Sequence, residues 1–237
     1  MSKHELILGD CLQELKKISD KSVDIVLTDP PYGTTQNKWD SIIPLELMWN
    51  ELKRISKQDC AITLFSQNPF SSVLICSNLK MFKYNWVWQK PQGTGHLNSK
   101  KYPLKNHEDI CVFSFKPHKY NPQMSKGKPY KIQSGKGSSN YGSQVQVTTD
   151  NQGFRYPKTV LQFSPDKNKV HPTQKPVALL EYLIKTYTNE NDTVLDFTMG
   201  SGSTGVAAKN LNRKFIGIEK DQNYFNIAKD RIEGGLF

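Results

Sequence analysis

The chain of 237 residues carries a formal net charge of +10, and 36% of its residues are hydrophobic. The mean hydropathy of −0.61, together with the lack of a secretory signal or of an apolar run that could cross a bilayer, predicts a cytoplasmic protein without a membrane anchor. The four cysteines have no paired spacing, which predicts buried thiols in a reducing compartment and argues against disulfides or a metal site.

The first 115 residues alternate apolar runs with amphipathic segments, the pattern of strands followed by helices. A strand at His4–Leu8 is predicted to end at Gly9-Asp10, and a buried strand is predicted at Val23–Leu27. Further strands are predicted at Ala61–Phe65, Tyr84–Trp88 and Asp109–Phe115, and helices around Leu12–Ile18, Leu45–Ile55 and Pro69–Asn78. This order predicts an α/β fold with a doubly wound, mostly parallel sheet.

The buried strand at Val23–Leu27 runs into the sequence Asp29-Pro30-Pro31-Tyr32. Neither proline can donate to a sheet ladder, and each holds the preceding residue away from helical angles, so the chain leaves the strand extended and stiff. Open α/β sheets bind ligands at the carboxyl ends of their strands. A carboxylate, a main-chain carbonyl and a flat ring at that place suit the amino group of a heteroaromatic ring. The plainer alternative is a proline-rich turn with a surface tyrosine.

The segment 116–169 interrupts this rhythm. It contains nine Lys and one Arg against two Asp, a net charge of +8, and it is rich in Gly, Ser, Gln, Tyr and Pro. Long stretches without helical periodicity are rare inside compact domains unless they have a function. We therefore predict an inserted recognition region that suits nucleic acid, with short strands near Ser143–Thr149 and Thr159–Phe163. A solvated basic face is the plainer alternative.

The α/β pattern resumes after the insert. The motif His-Pro-Thr-Gln-Lys-Pro at 171–176 leads into a predicted helix, and a predicted strand at Thr193–Asp196 runs into the glycine turn 200–205, with the spacing Gly-x-Gly-x-x-Gly. Another strand, Lys214–Ile218, ends at Glu219, and a last helix is predicted to be capped by Asp221.

A strand, a glycine turn, a helix and a second strand that ends in an acid form a nucleoside-binding half-unit. Asp196 and Glu219 are 23 positions apart, which suits an acid that accepts hydrogen bonds from ribose hydroxyls. The glycine spacing alone also suits an NAD-binding unit or a turn needed only for tight packing.

Together the two motifs resemble the β-class of DNA amino-methyltransferases, which transfer a methyl group from S-adenosylmethionine to adenine N6 or cytosine N4. In that family the Asp-Pro-Pro-Tyr motif comes first, a target-recognition region second and the glycine motif of the cofactor third, in circularly permuted order. The resemblance implies a Rossmann-like methyltransferase fold with residues 1–115 as the catalytic half, 116–169 as the target-recognition region and 170–237 as the cofactor-binding half. It also implies a bacterial or phage-encoded enzyme.

The resemblance assigns roles to residues of both motifs. Catalysis would rest on the residues after the second strand, namely Asp29, Pro30, Pro31 and Tyr32. Cofactor binding would rest on strand ends, the segment 171–176 and the glycine motif, namely Asp10, Cys11, Asp29, Thr173, Lys175, Asp196, Phe197, Thr198, Gly200, Ser201, Gly202, Ser203, Thr204, Glu219 and Lys220. The family usually reads Asp-Pro-Phe-x-Gly-x-Gly, so Phe197-Thr198 would shift the aromatic contact by one residue. For Asp10 the alternative is a helix cap, and for Lys175 it is a solvated lysine.

The expected partner is double-stranded DNA with the target base flipped out of the helix. Phosphate contacts are predicted for basic residues of the insert, namely Lys126, Lys128, Lys131, Lys136 and Arg155. In the family, Asp at the first position of the catalytic motif favours adenine N6 over cytosine N4. An NAD-dependent oxidoreductase, a catalytically inactive DNA-binding module and an RNA substrate stay as alternatives. The resemblance leaves open a homodimer and a separate restriction endonuclease partner.

Overall fold

The computed structural model describes residues 3–33, 41–133, 147–167, 170 and 174–234. The chain divides into two compact units, which we call the main unit (Met1–Asn121 with Thr159–Phe237) and the inserted unit (Pro122–Lys158). The inserted unit therefore lies within the segment 116–169 that composition singles out, and the residues flanking it belong to the main unit. Among the helices of the described residues, none is long and apolar enough to span a membrane.

The elements are numbered in chain order. The strands are β1 (His4–Leu8), β2 (Val23–Thr28), β3 (Ser56–Ser66), β4 (Phe82–Thr94), β5 (Lys105–Phe113), β6 (Ser125–Lys126), β7 (Tyr130–Gln133), β8 (Thr148–Asn151), β9 (Phe154–Arg155), β10 (Val160–Gln162), β11 (Thr193–Asp196) and β12 (Lys214–Glu219). The helices are α1 (Cys11–Leu15), α2 (Leu45–Ile55), α3 (Phe70–Ser77), α4 (Val177–Tyr187), α5 (Ser203–Asn210) and α6 (Gln222–Glu233).

Eight strands form the sheet of the main unit, in the order β1-β12-β11-β2-β3-β5-β4-β10. All neighbours are parallel except that β5 runs antiparallel to both β3 and β4, which confirms the predicted α/β fold with a mostly parallel sheet. From β2 the chain continues to β3 on one side, and from β11 it continues to β12 on the other. The strand order therefore reverses between β2 and β11, the kind of switch point at which such sheets bind ligands.

Helices cover both faces of this sheet, and the apolar residues of β2 are divided between the two cores. Ile25 and Leu27 pack in the core that includes residues of α4, α5 and α6, whereas Val23 and Val26 pack in the core that includes residues of α1, α2 and α3. A central strand with apolar side chains on both faces can be stable only when both faces are covered. The apolar run in the sequence therefore predicts the doubly wound arrangement.

The ends of several elements follow from local chemistry. Oδ1 of Asp221 accepts hydrogen bonds from the main-chain N–H groups of Asn223 at 2.8 Å and Tyr224 at 3.1 Å, which confirms the predicted cap of α6. Helix α2 begins directly after Pro44, as predicted. Helix α1 ends at Leu15, so the prediction that it extends to Ile18 is too long.

Strands β4 and β5 are longer than predicted at the end nearest the loop that joins them. β4 continues past Trp88 through Pro91 to Thr94, and β5 already begins at Lys105. Pro91 is tolerated because β10 pairs with β4 only at Val87–Gln89, so no neighbour on that side needs a main-chain N–H from position 91.

The inserted unit contains two short antiparallel pairs, β6 with β9 and β7 with β8. Arg155 holds these pairs together: its guanidinium donates to the side chain of Asn151 and to the carbonyl of Lys128, and it lies 4.5 Å from the ring centroid of Tyr130. The strand predicted near Thr159–Phe163 exists as β10, but it is the edge strand of the main sheet. Of the strand predicted at Ser143–Thr149, the described part begins as β8 at Thr148.

Candidate active site

Four acidic residues lie where the parallel strands of the main sheet end. They lie at the carboxyl ends of four adjacent parallel strands or within two residues of them: Asp10 follows β1, Glu219 ends β12, Asp196 ends β11 and Asp29 follows β2. All four line one cleft of about 1000 Å³ that opens above these strand ends. The fold thus gathers acids that are as many as 209 positions apart in the sequence.

Two threonines join the Asp-Pro-Pro-Tyr segment to the glycine turn across the switch point. The hydroxyl of Thr28, the last residue of β2, donates to Asp196 Oδ1 at 3.0 Å and accepts from the main-chain N–H of Phe197 at 3.1 Å. The hydroxyl of Thr198 donates to the main-chain carbonyl of Asp29 at 3.1 Å. These bonds hold the two motifs in a fixed relation to each other.

Asp29 lines the cleft next to the switch point between β2 and β11. Its Oδ1 accepts from the hydroxyl of Tyr32 at 2.5 Å, and its Oδ2 forms an ion pair with Lys175. The ring of Tyr32 stacks on Phe70, with ring centroids 5.4 Å apart and planes inclined by 26°. Burial raises the pKa of Asp29, an effect that the ammonium group of Lys175 opposes. Side-chain donors thus hold both oxygens of the carboxylate.

Two charged residues that the sequence analysis did not single out complete this side of the cleft. Glu108, near the start of β5, is only 7% exposed; its Oε1 pairs with Lys90 on β4, and its Oε2 lies 3.3 Å from the Nζ of Lys175. Burial alone would lower the pKa of Lys175, but Asp29 and Glu108 outweigh it and hold that pKa above its usual range. In the sequence, Glu108 is marked only by its position two residues before the apolar run 110–113, and that position does not identify a functional site.

The three glycines of the turn have different tasks. Gly200 has φ +52°, and a Cβ built on it would meet no atom within 4 Å, so its main chain is open to a ligand. A Cβ on Gly202 would lie 2.9 Å from the Cβ of Ala228 on α6, and one on Gly205 would lie 2.3 Å from the Cδ1 of Ile232. Gly200 therefore opens the cleft, whereas Gly202 and Gly205 allow α5 to pack closely on α6.

Glu219 and Asp10 lie beside each other, because β1 pairs with β12 and the main-chain N–H of Gly9 donates to the carbonyl of Glu219 at 2.9 Å. The Glu219 carboxylate accepts from the main-chain N–H groups of Gly200 at 2.9 Å and Asp221 at 2.8 Å, so it braces the glycine turn while lining the cleft. Asp10 caps α1 through its Oδ1, which is the alternative that the sequence left open for it.

Asp196 and the following loop are held mainly by internal bonds. Asp196 is 4% exposed; its Oδ2 accepts from the hydroxyl of Thr204 at 2.6 Å, and burial raises its pKa to about 7. Arg231 on α6, another residue that sequence analysis missed, donates to the carbonyl of Ser201 at 2.5 Å and to the hydroxyl of Ser203 at 3.2 Å. These contacts make the turn a preformed cradle.

Most residues predicted for the site line the cleft. They are Asp10, Cys11, Asp29, Pro30, Pro31, Tyr32, Lys175, Asp196, Phe197, Thr198, Gly200, Ser201, Ser203, Thr204, Glu219 and Lys220. The ring of Phe197 is almost wholly buried in the core on the α1–α3 side, and Gly202 lies behind the turn, against α6. Lys126, Lys128 and Lys131 are exposed in the inserted unit. Thr173 and Lys136 lie outside the described residues.

The groups that line this part of the cleft suit S-adenosylmethionine. Gly200 offers open main chain, Glu219 offers a carboxylate to hydroxyl groups, and the amino terminus of α5 follows directly. The same features at the end of β11 and β12 also suit other nucleosides. Asp29 lies beside this cradle and is joined to it through the hydroxyl of Thr198.

Comparison with known proteins identifies the family. The family model described as DNA methylase, for N6 and N4 methyltransferases, matches residues 23–230. The chain belongs to this DNA methylase family. It is 31% identical to the type II methyltransferase M.HpaI of Haemophilus parainfluenzae, over 96% of this chain and 74% of that protein.

Solved structures agree with this assignment. The M1.HpyAVI complex with S-adenosylmethionine matches with a TM-score of 0.68 and 26% identity, over 97% of this chain and 98% of that one. The cytosine-N4-specific PvuII DNA methyltransferase shares the fold, with a TM-score of 0.69 and 17% identity over 98% of this chain and 86% of that one. The predicted family, Rossmann-like fold and cofactor are confirmed: the chain is an S-adenosylmethionine-dependent DNA methyltransferase.

Proposed function

We propose that this enzyme methylates the N6 amine of adenine in double-stranded DNA. The observation that carries the proposal is the Asp29 carboxylate, which lies at the sheet switch point between an aromatic ring and the glycine cradle. The same fold occurs in a cytosine-N4-specific relative, so the fold does not choose the base. Adenine is favoured by Asp at the first position of the motif, and cytosine N4 is the second candidate.

The chain's own groups supply positioning and electrostatic stabilisation. When bound, S-adenosylmethionine supplies an electrophilic methyl group on a sulfonium, which accepts the electron pair of the broken carbon–sulfur bond. Asp29 and the carbonyl of Pro30 would accept the two N–H groups of the target amine, so that its lone pair is free to form the nitrogen–carbon bond. Alignment of two bound reactants can supply roughly 7–11 kcal/mol of a barrier. The nitrogen then loses one proton, which Asp29 or water takes up.

The target base has to leave the duplex to reach this cleft, at a cost of a few kcal/mol. Tyr32 and Trp88 both line the cleft, and base–aromatic stacking is worth about 1–3 kcal/mol. The Tyr32 ring is already held by Phe70 and by its bond to Asp29, so stacking on it would cost little further ordering. We assign Tyr32 to the target base on this ground.

The cofactor roles are proposed for residues at or just after the ends of β1, β11 and β12, on the other side of the switch point. Glu219 would accept from the ribose hydroxyls, Asp10 and Cys11 would lie near the adenine, and Gly200 would face the methionine portion. Asp196 acts through the turn that it holds, since its oxygens already accept from Thr28 and Thr204. The remaining predicted residues of the turn and Lys220 line the same cleft.

The inserted unit is proposed to bind DNA phosphates. Lys126, Lys128 and Lys131 are exposed, and large apolar side chains near them are exposed as well, among them Tyr156 at 73% and Phe154 at 52%. Such a combination suits phosphate contacts with stacking or van der Waals contacts to bases. Arg155 is already engaged with Asn151 and Tyr130, so its part is to hold this unit together. A homodimer and a separate endonuclease partner remain proposals of the family resemblance.

The deciding experiment is transfer of labelled methyl groups from S-adenosylmethionine to unmethylated duplex DNA, followed by mass spectrometry of the nucleosides. N6-methyldeoxyadenosine is the expected product. N4-methyldeoxycytidine would keep the enzyme class and correct the base. Lack of product on duplex DNA, with product on RNA of the same sequences, would refute the proposed polymer.

A further inference from the structure

The buried carboxylate of Glu108 has a feature that the catalytic scheme above does not use. Its Oε1 pairs with Lys90, whereas no donor among the described residues is aligned to hydrogen-bond its Oε2. That oxygen is buried and lies 3.3 Å from the Nζ of Lys175, and Glu108 and Lys175 both line the cleft. The charge of this buried oxygen therefore depends on the ammonium group of Lys175 for compensation, because a buried carboxylate oxygen without a partner is costly. A fold that keeps such a group requires a reason for it.

The surroundings of Asp29 suggest that reason. In this structure one oxygen of Asp29 accepts from Tyr32 and the other from Lys175. A target amine must compete for the same carboxylate. Lys175 is itself 8% exposed, so its ammonium group cannot simply retreat into solvent when the amine arrives. It needs a second acceptor within reach.

We propose that Glu108 is a positioning residue for methyl transfer: it receives the ammonium group of Lys175 and thereby releases Asp29 to the target amine. Lys175 is already within 3.3 Å of Glu108 Oε2 while bound to Asp29, so a small rotation of its side chain completes the exchange. No proton or electron moves in this step; one hydrogen bond of the ammonium group replaces another. The inference rests on the proposed role of Asp29 as the acceptor for the amine.

The reaction's own electrostatics favour this exchange. During transfer, positive charge passes to the target nitrogen, so negative charge next to it lowers the barrier and an uncompensated ammonium group raises it. The four charged groups Asp29, Glu108, Lys175 and Lys90 sum to zero. When the ammonium group of Lys175 pairs with Glu108, the negative charge of Asp29 is available to the target nitrogen. Neutralising Glu108 would leave these groups with a net positive charge next to that nitrogen.

The ionisation of the groups in contact is consistent with this arrangement. Asp29 faces Lys175, Glu108, Tyr32 and, across the switch point, Asp196. Burial would raise the pKa of Glu108, but Lys175 and Lys90 outweigh it and keep this pKa below its usual range. Glu108 is therefore charged at neutral pH, as an acceptor for the ammonium group of Lys175 must be. Its charge adds to the rise in the pKa of Asp29.

The test compares Glu108→Gln with Glu51→Gln, a matched change in a partly buried glutamate that pairs with Arg54 on α2, away from the cleft. We expect Glu108→Gln to lower kcat by about 10- to 100-fold, with the Kd for S-adenosylmethionine changed little, because it acts on transfer and not on binding. Glu51→Gln should change neither quantity. Carbon-13 NMR of labelled aspartate should show a lower pKa of Asp29 in Glu108→Gln, even without cofactor or DNA.

A second pair of variants tests the route through Lys175. If Glu108 acts through it, Glu108→Gln combined with Lys175→Met should lose no more activity than Lys175→Met alone. Should Glu108→Gln fail to fold, Lys90→Gln serves instead and should raise the pKa of Asp29. An unaltered Asp29 pKa, or additive losses in the double variant, would overturn the inference. Failure of the wild type to methylate any DNA would instead refute the proposed function, and the NMR titration would still decide the interaction.

Discussion

The two sides of the cleft hold their acids by different means. On the side proposed for the cofactor, Glu219, Asp196 and Asp10 all accept hydrogen bonds from main-chain N–H groups, with further bonds from threonine hydroxyls to Asp196. On the other side, Asp29 and Glu108 are held by the side chains of Lys175, Lys90 and Tyr32. Main-chain donors cannot leave without unfolding the turn, whereas lysine side chains can exchange partners.

This difference matches the demands of the two substrates. A cofactor cradle has to be preformed, because ordering a loop on binding would cost affinity. The target side has to admit a base that arrives from outside and displaces whatever occupies the acceptors. Under the proposed function, acids held by main-chain donors lie where the cofactor would bind, and acids held by side chains lie where the methyl group would be transferred.

The largest expected effect is a loss of methyl transfer from a change at Asp29, on the side of the cleft where side chains hold the acids. Asp29→Ala should reduce methyl transfer by about 10³-fold or more, since loss of a group aimed at the developing charge removes stabilisation that exists only in the transition state. Calorimetry should give a Kd for S-adenosylmethionine close to that of the wild type. A Kd that rises in parallel with the loss of rate would assign Asp29 to the cofactor instead.

Glu219→Ala should do the opposite: it should weaken cofactor binding and leave the rate of transfer unchanged once the cofactor is bound. Each hydrogen bond to a charged acceptor is worth about 1.5–3 kcal/mol, so the Kd for S-adenosylmethionine should rise by about 10- to 100-fold. At saturating cofactor the single-turnover rate should recover. Glu5→Ala is the control, since Glu5 is exposed on the neighbouring strand β1. If the cofactor Kd is unchanged in Glu219→Ala, the assignment of the ribose contact is wrong.

The smallest effect concerns stability. The pKa of Asp196 is about 7 in the folded chain, above its value of roughly 4 when unfolded, so the folded state keeps a proton that the unfolded state has lost. The free energy of unfolding should therefore fall as the pH rises from about 5 to 7, by about 1–2 kcal/mol from this residue. Urea unfolding of the wild type and of Asp196→Asn should show this decline in the wild type alone. An identical pH dependence in both would contradict it.

The parts of the site that could be predicted are those encoded by neighbours in the chain. The apolar run before Asp29, the two prolines after it and the glycine spacing at 200–205 are local signals, and the structure puts them at strand ends that line one cleft. Lys175 was also predicted, but as a contact of the cofactor. Its ion pairs with Asp29 and Glu108 could not be foreseen, because they join β2, β5 and the start of α4.

Glu108 and Lys90 were missed for a related reason. The antiparallel register of β4 and β5 sets Glu108 opposite Trp88 and so within reach of Lys90, and no property of either segment alone specifies that register. Arg231 was missed because its contact with Ser201 depends on the packing of α6 against the glycine turn. In each case the partner residues are distant in the sequence.

The sequence by itself determined the fold class and the order of the two motifs, since hydrophobic periodicity and turn residues act over a few neighbouring positions. The family followed from the resemblance that those two motifs carry. Only the tertiary structure decided which charges meet. It brought Asp29, Lys175 and Glu108 together, and it divided the glycines into Gly200 at the cleft and Gly205 in the helix packing. The physical reason is that ion pairs and close packing depend on distances across the sheet, and these are set by strand order and register.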